Sequence, residues 1–482
     1  MRIRVLASVV AMLAVAGVLA GCETGSTLRR TDAPQVLTGA QLPGLLGVPP
    51  SSVVAFAHVR VDGKPEWRQI PVQIDERKVV GFGSMPADNT TAGTTGTVYG
   101  SGSATRTALQ YADPNTFVGA DSDPSFDLDD ELVFMVADAG GVRDAGSPDP
   151  VGVVPGSGSR VDLTDPIDAG KQGSVYLFRS SGGLTPAAGR DYVDYDFVLT
   201  SGDYKSTYRR RSGPNPETSR VTTRAYTIEY PDRWFETSWR LNAATSTGVD
   251  ILDGHKNQFQ IDTCARSNAT FAAEEGAFVA NIDGPVRGIR SYVGANSGPL
   301  TQRTHLMYRD QEVVVTDLRV HEISGIMDYL DFSAAAAGMT YQSSTVPGGV
   351  TIDGAADPVP ATPATWEAVS GPQGFVLTKV EYVSSIDLTD GLGTELVWFR
   401  RDQAAPPEAQ CWGDGSLLGA AGPSVVGIIA NTDPRLGAAE TLKGVRTLWF
   451  GGAPTDPSLV DEIGAAWSAQ IAAPLVVTVR AA

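Results

Sequence analysis

Residues Val53–Val61 read VVAFAHVRV; every odd position is Val or Ala, while the even ones include Phe56, His58 and Arg60. A period of two marks a β-strand with one face turned to a core. The alternation recurs in Val175–Arg179 (VYLFR), Tyr192–Leu199 (YVDYDFVL), Val221–Glu229 (VTTRAYTIE) and Pro285–Val293 (PVRGIRSYV). Glu312–His321 (EVVVTDLRVH), Phe375–Val383, Glu395–Arg400 and Leu475–Arg480 continue it. Trp67–Ile74 (WRQIPVQI) also alternates, but Pro71 has no amide hydrogen, so this run belongs at a sheet edge or a bulge. With 53 Gly and 31 Pro in 482 residues, the chain favours turns between short strands over long helices. One helix is written near the C-terminus: Asp456-Pro457-Ser458 supplies a cap and a first-turn proline, and Leu459, Ile463, Trp467 and Ile471 fall on one stripe. The expected fold is all-β, a large antiparallel β-sandwich with one C-terminal helix.

Composition narrows the partners. A hydrophobic share of 42% supports a large core and excludes wholesale disorder. The formal charge of −18 has the wrong sign for nucleic acid and repels polyanionic sugars. Gly/Ser/Thr- and Gly/Pro-rich tracts cover residues 81–107, 141–159 and 343–365. The last is read as a linker or loop between an N-terminal β-sandwich part (51–342) and a C-terminal β part with the helix (366–482).

Residues 1–21, MRIRVLASVVAMLAVAGVLAG, combine a positive start at Arg2 and Arg4 with an apolar run of small residues, which is a secretory signal pattern. Leu19-Ala20-Gly21-Cys22 resembles the lipobox of bacterial lipoproteins. That resemblance implies removal of residues 1–21, acylation of Cys22, and a lipidated N-terminus and tether over residues 22–50. It places the chain in the bacterial cell envelope, lipid-anchored on the extracytoplasmic side, with the membrane as a partner. Acyl chains contribute about 0.8 kcal/mol per buried CH₂, so two or more make a stable anchor. The polar run Glu23–Gln35 (ETGSTLRRTDAPQ) reads as the tether. At such an address Cys264 and Cys411 are a candidate disulfide, with two buried thiols as the alternative.

In the body, Asp283–Arg287 (DGPVR) and Trp366–Pro372 (WEAVSGP) are similar to segments of galactose-mutarotase-like β-supersandwich proteins and some polysaccharide lyases, over roughly residues 160–482. The runs PVQIDE (Pro71–Glu76) and DDELVF (Asp129–Phe134) are also similar to segments of secreted bacterial proteins. The supersandwich resemblance implies a concave sheet face able to bind a sugar and move a proton. His255, His305, Tyr308 and His321 are then the candidate acids and bases, with Lys256 or Arg287 neutralising a substrate carboxylate. His305 and Tyr308 are three apart in one strand and so fall on opposite faces. Trp234 and Trp239 are candidates for stacking on sugar rings, against core packing as the ordinary fate of tryptophan.

The densest acidic stretch is Asp121–Glu131 (DSDPSFDLDDE). Asp121, Asp123, Asp127, Asp129 and Glu131 form a candidate Ca²⁺ loop, since hard carboxylate oxygens suit that ion, and Asp75 and Glu76 can join it. Phe126 stands where a helix–loop–helix calcium loop needs glycine, so the motif itself is absent; a solvated acidic turn is the alternative. No Gly-x-Ser-x-Gly, His-Glu-x-x-His, phosphate loop or Cys-x-x-Cys occurs. The reading is a binding or envelope-associated protein, with carbohydrate as candidate ligand. A lyase or sugar epimerase is the alternative.

Overall fold

A nine-stranded antiparallel sheet organises the chain. Its order is Ala277–Ile282, Arg287–Val293, Thr301–Tyr308, Gln311–Leu318, Leu442–Gly451, Gly374–Ser384, Glu367–Gly371, Thr340–Ser343 and Val346–Thr351. The computed structural model describes residues 23–81, 107–200, 217–230, 236–259, 277–293, 301–318, 323–384, 395–403, 417–429 and 442–482. Alternation fixes the two faces. Met307, Val314, Val376, Leu448 and Phe450 point one way, into the main core. There they meet two four-stranded sheets, one of Val193–Asp196, Ser219–Thr223, Tyr226–Tyr230 and Ser238–Leu241, the other of Leu252–Phe259, Ile323–Phe332, Leu417–Ile429 and Glu395–Gln403. The result is a large antiparallel β-sandwich.

The opposite face is also covered. The helix Val460–Ala472 lays Val460 and Trp467 on Trp366, Phe375 and Leu377, with Ile463 and Ile471 beside them. Asp456 caps its 3₁₀ lead-in, accepting a hydrogen bond from the Ser458 amide as the sequence suggests. Further along, a small sheet of Pro34–Thr38, Glu131–Met135 and Gln73–Asp75 packs Val133 and Met135 against Val286 and Tyr308. Its other side, Leu37, Leu132 and Phe134, meets Val53, Ala55 and Ala57 of a six-stranded sheet. That sheet contains Glu23–Thr24, Val53–Val61, Lys64–Ile70, Gln172–Arg179, Ser159–Thr164 and Val476–Ala481, and Val476–Ala481 pairs with Ser159–Thr164.

Four expectations are adjusted. Val221–Glu229 is two strands, because Thr223 Oγ1 accepts hydrogen bonds from the amides of Ala225 and Tyr226 and turns the chain there. Trp67–Ile74 breaks at Pro71, where the chain leaves one sheet for another. Glu23–Gln35 is docked rather than free: buried Arg30 clamps Asp165 at 2.6 and 2.9 Å and donates to the carbonyls of Gln470 and Ala473 at the helix end. Residues 343–365 supply the strand Val346–Thr351, and the large sheet draws strands from both sides of them.

One strand joins three layers. Arg287 is wholly buried and reaches toward the small sheet, contacting Asp75 at 2.7–2.8 Å, Glu131 at 2.6 Å and the Tyr308 hydroxyl at 3.2 Å. Glu131 is held at its other oxygen by Arg77 at 2.7 Å. Gln73 completes the junction: its Oε1 accepts from the amides of Val286 and Arg287, and its Nε2 donates to Asp75 and to the Arg287 carbonyl. Removing one partner of a buried ion pair strands the others without compensation. Arg287→Met is therefore expected to cost about 3–5 kcal/mol in urea denaturation, and adding Asp75→Leu is expected to recover part of that loss.

Candidate functional site

The inner face of the large sheet is not purely apolar. Arg290 and Tyr292, Arg303 and His305, Glu312, Thr378 and Arg446 form a polar band across its middle, all less than a tenth exposed. Strand register explains the grouping. Arg290 pairs with His305, and Glu312 lies opposite Met307, which makes it the diagonal neighbour of His305 across the tight Arg309–Asp310 hairpin. From the facing sheets come Glu236, just ahead of Ser238–Leu241, together with His255 and Asp328.

These groups converge. His305 Nδ1 lies 2.8 Å from Glu312 Oε1 and 3.6 Å from Glu236 Oε1, while its Nε2 is 3.2 Å from the Tyr292 hydroxyl. His255 bridges Glu236 Oε2 at 3.3 Å and Asp328 Oδ1 at 2.9 Å. Arg446 donates to the Asp328 carbonyl at 3.0 Å, and Arg303 to the His255 carbonyl at 3.3 Å. Glu236, His305 and Glu312 bring one ligand atom each within 4.8 Å of one another, an arrangement that can hold a metal ion. Beside it, Arg290 holds Glu217 through both oxygens at 2.6 and 3.0 Å and lies 4.0 Å over the Tyr230 ring.

Burial and mutual proximity set the protonation. Burial pushes His305 down to about 4. Burial and the Glu236 charge push Glu312 well above the usual carboxylate range. Burial also raises Glu236 and Asp328, but the attraction and hydrogen bonds of their neighbours outweigh it. Those neighbours are His305 and His255 at Glu236, and Arg446 and His255 at Asp328; both acids end below their ordinary values.

Of the residues singled out from sequence, His255 and His305 thus share one interior cluster. Tyr308 points to the other side of its strand, against Arg287, as the three-residue spacing requires. Lys256 is buried on Asp331 and Asp253, at 2.7 and 3.1 Å. Trp239 is fully buried, edge-on to Phe450, and so packs the core instead of offering a face to a sugar. Trp234, His321, Cys22, Cys264 and Cys411 lie outside the described residues. The site members that sequence reasoning missed are Glu236, Glu312 and Asp328. Glu312 had a signal in the hairpin count. Glu236 and Asp328 had none, since they arrive from other sheets.

The acidic loop is built of self-capped turns. Asp121, Asp123 and Asp127 each accept a bond from the amide two residues on. Asp130 accepts from the Asp127 and Arg77 amides. Glu131 faces away, toward Arg77 and Arg287. Glu76 points into the loop, and its two carboxylate oxygens are buried with no hydrogen-bond partner among the described residues. Burial, then the charges of Asp130, Asp121, Asp127 and Asp123, raise it to about 7.

Accessible concavities lie elsewhere, around the C-terminal helix. A cavity of about 440 Å³ is walled by Trp449, Phe375 and Phe450 and rimmed by Asp32, Arg224 and Asp310. A second, of about 240 Å³, adjoins it at Asp32 and Trp449 and runs along Trp467. A groove of about 700 Å³ follows the helix's other flank past Trp366 and Lys379. Asp310 is gripped by Arg224 at 2.7 and 2.9 Å and by Arg309 at 2.6 Å, and Asp32 sits 3.2 Å from Arg309. Burial and neighbouring Asp310 raise Asp32 to about 6.

No protein-family model matches the chain, and no curated protein matches it in sequence. Among solved structures, it is similar to a mutant of the heparan sulfate lyase HepC from Pedobacter heparinus. The TM-score is 0.27 and the identity 7%, over 58% of this chain and 38% of that one. The chain thus spans well under half the length of that structure.

Raised acids fix a pH dependence. Glu76 moves from 4.5 to about 7, and Asp32 from 3.8 to about 6. Each binds its proton more tightly when folded, so its stabilising contribution is full below the unfolded value and is lost as pH rises through the folded one. The Tm, measured in metal-free buffer, is expected to fall from about pH 4 to about pH 7, and Glu76→Gln to remove the part of the fall between pH 4.5 and pH 7.

Proposed function

We propose that the protein is a lipid-anchored, extracytoplasmic carbohydrate-binding protein whose ligand is a neutral glycan. The observation that carries this reading is the cavity at Trp449. It combines an aromatic wall with anchored carboxylate and guanidinium groups, two components that sugar recognition uses. Trp449 is half-buried and stands edge-on to Phe375 at 5.6 Å, so its orientation is set before any ligand arrives. The Asp32, Arg224, Arg309 and Asp310 charges compensate one another locally. With the overall charge of −18, that favours an uncharged sugar over a sulfated or uronic one. The lyase or epimerase reading needs an acid or base within reach of a polymer, whereas His255 and His305 are 0% exposed and Tyr308 is 1% exposed.

Two finer parts belong to the same reading. Anchoring through Cys22 rests on Leu19-Ala20-Gly21-Cys22 and the apolar run before it. Calcium at Asp121, Asp123, Asp127 and Asp129 is supported by the paired unpartnered oxygens of Glu76 that face the loop. Bound Ca²⁺ there cancels the loss of stability described above for Glu76.

Calorimetry of the purified chain against neutral and uronic oligosaccharides tests the binding. Heat is expected with a neutral sugar, and Trp449→Ala is expected to weaken it about tenfold, or about 1.4 kcal/mol, with a modest fall in Tm from the packing lost on Phe375. Absence of heat with every sugar, or equal affinity in Trp449→Ala, overturns this reading. Cys22→Ser is expected to abolish incorporation of labelled palmitate and move the protein from the detergent to the aqueous phase.

A further inference from the structure

We propose that Glu236, His305 and Glu312 form a structural site for one divalent first-row transition ion, zinc being the ion whose preferences fit best. The three side chains come from three chain segments and two facing sheets, and each is 0% exposed. Their ligand atoms lie within 4.8 Å of one another. Glu236 Oε1 and Glu312 Oε2 have no hydrogen-bond partner among the described residues, although both are shut off from water. A buried carboxylate oxygen without a partner is costly, and two in one spot call for a common partner.

The surroundings match those of a metal centre. His305 turns Nδ1 to both carboxylates and leaves Nε2 to the Tyr292 hydroxyl at 3.2 Å. A ligating imidazole is commonly fixed in this way, with one nitrogen on the ion and the other on an outer group. The second oxygen of Glu236 rests on His255, and His255 is oriented in turn by Asp328. One imidazole with two carboxylates selects zinc or a neighbouring transition ion, whereas calcium prefers oxygen alone. Glu312, binding through both oxygens, can fill a fourth position. The ion would tie Thr301–Tyr308 and Gln311–Leu318 of the large sheet to the opposing layer ahead of Ser238–Leu241. It plays no part in the glycan cavity, and its failure would leave the sugar reading untouched.

The competing arrangement is a single proton shared by Glu236 and Glu312. Elemental analysis of the full chain, purified without chelators, separates the two. About one equivalent of zinc or another first-row metal per chain is expected. Unfolding in guanidinium with chelator and refolding without metal should lower the Tm by several degrees, with Zn²⁺ restoring it. Refolding with Co²⁺ should give visible absorption bands that Glu312→Gln and His305→Ala each weaken. Glu312→Gln keeps the shape of the side chain, so it guards against a variant that merely fails to fold. Less than a tenth of an equivalent of metal, together with an identical Tm after refolding with and without Zn²⁺, overturns the proposal and assigns the pair a shared proton.

Discussion

A guanidinium withdrawn from water must meet its countercharge at once, and the strand Arg287–Val293 imposes that condition twice, in opposite directions. Arg287 turns to one side and finds Asp75 and Glu131 on the small N-terminal sheet. Arg290, three residues on, turns to the other and finds Glu217, beside Tyr195 and Tyr230. Because a strand alternates its side chains, the three-residue spacing sends the two cations to different faces. The large sheet is thereby fixed to the layer above and the layer below through one seven-residue segment in which every position is buried.

That arrangement explains why the interior of the sandwich is polar along one band and apolar around it. Met307, Val314, Leu448 and Phe450 supply the dispersion and hydrophobic terms. Arg290, His305, Glu312, Asp328 and Arg446 supply direction. A purely apolar interface between sheets tolerates sliding by a residue pair, whereas paired charges in a dry interior are satisfied in one register only.

Most of the framework was legible in the sequence. Val53–Val61 shows why: its odd residues enter one core and its even residues, Val54 and Phe56, a second smaller one, so alternation and burial coincide. The C-terminal helix was legible because its cap, first-turn proline and stripe agree with one another. The interior cluster was legible only in part. Alternation equates a polar position with solvent, and Arg290, His305 and Arg446 break that equation because both faces of their sheet are covered. His255 and His305 stood out as chemistry-bearing types, but their meeting point is Glu236, an acid in a short connection that no local pattern marks. The Trp449 cavity was invisible for a related reason. Its rim joins Asp32, Arg224 and Asp310, residues whose nearness is a property of topology and not of spacing.

The six-stranded sheet has an edge strand, Val476–Ala481, and Arg30 closes over the end of the helix that precedes it. Ser159–Thr164 therefore depends on Val476–Ala481 for its pairing on that side. Without Val476–Ala481 the sheet would present the hydrogen-bonding edge of Ser159–Thr164, next to buried Val161 and Leu163, as a template for aggregation.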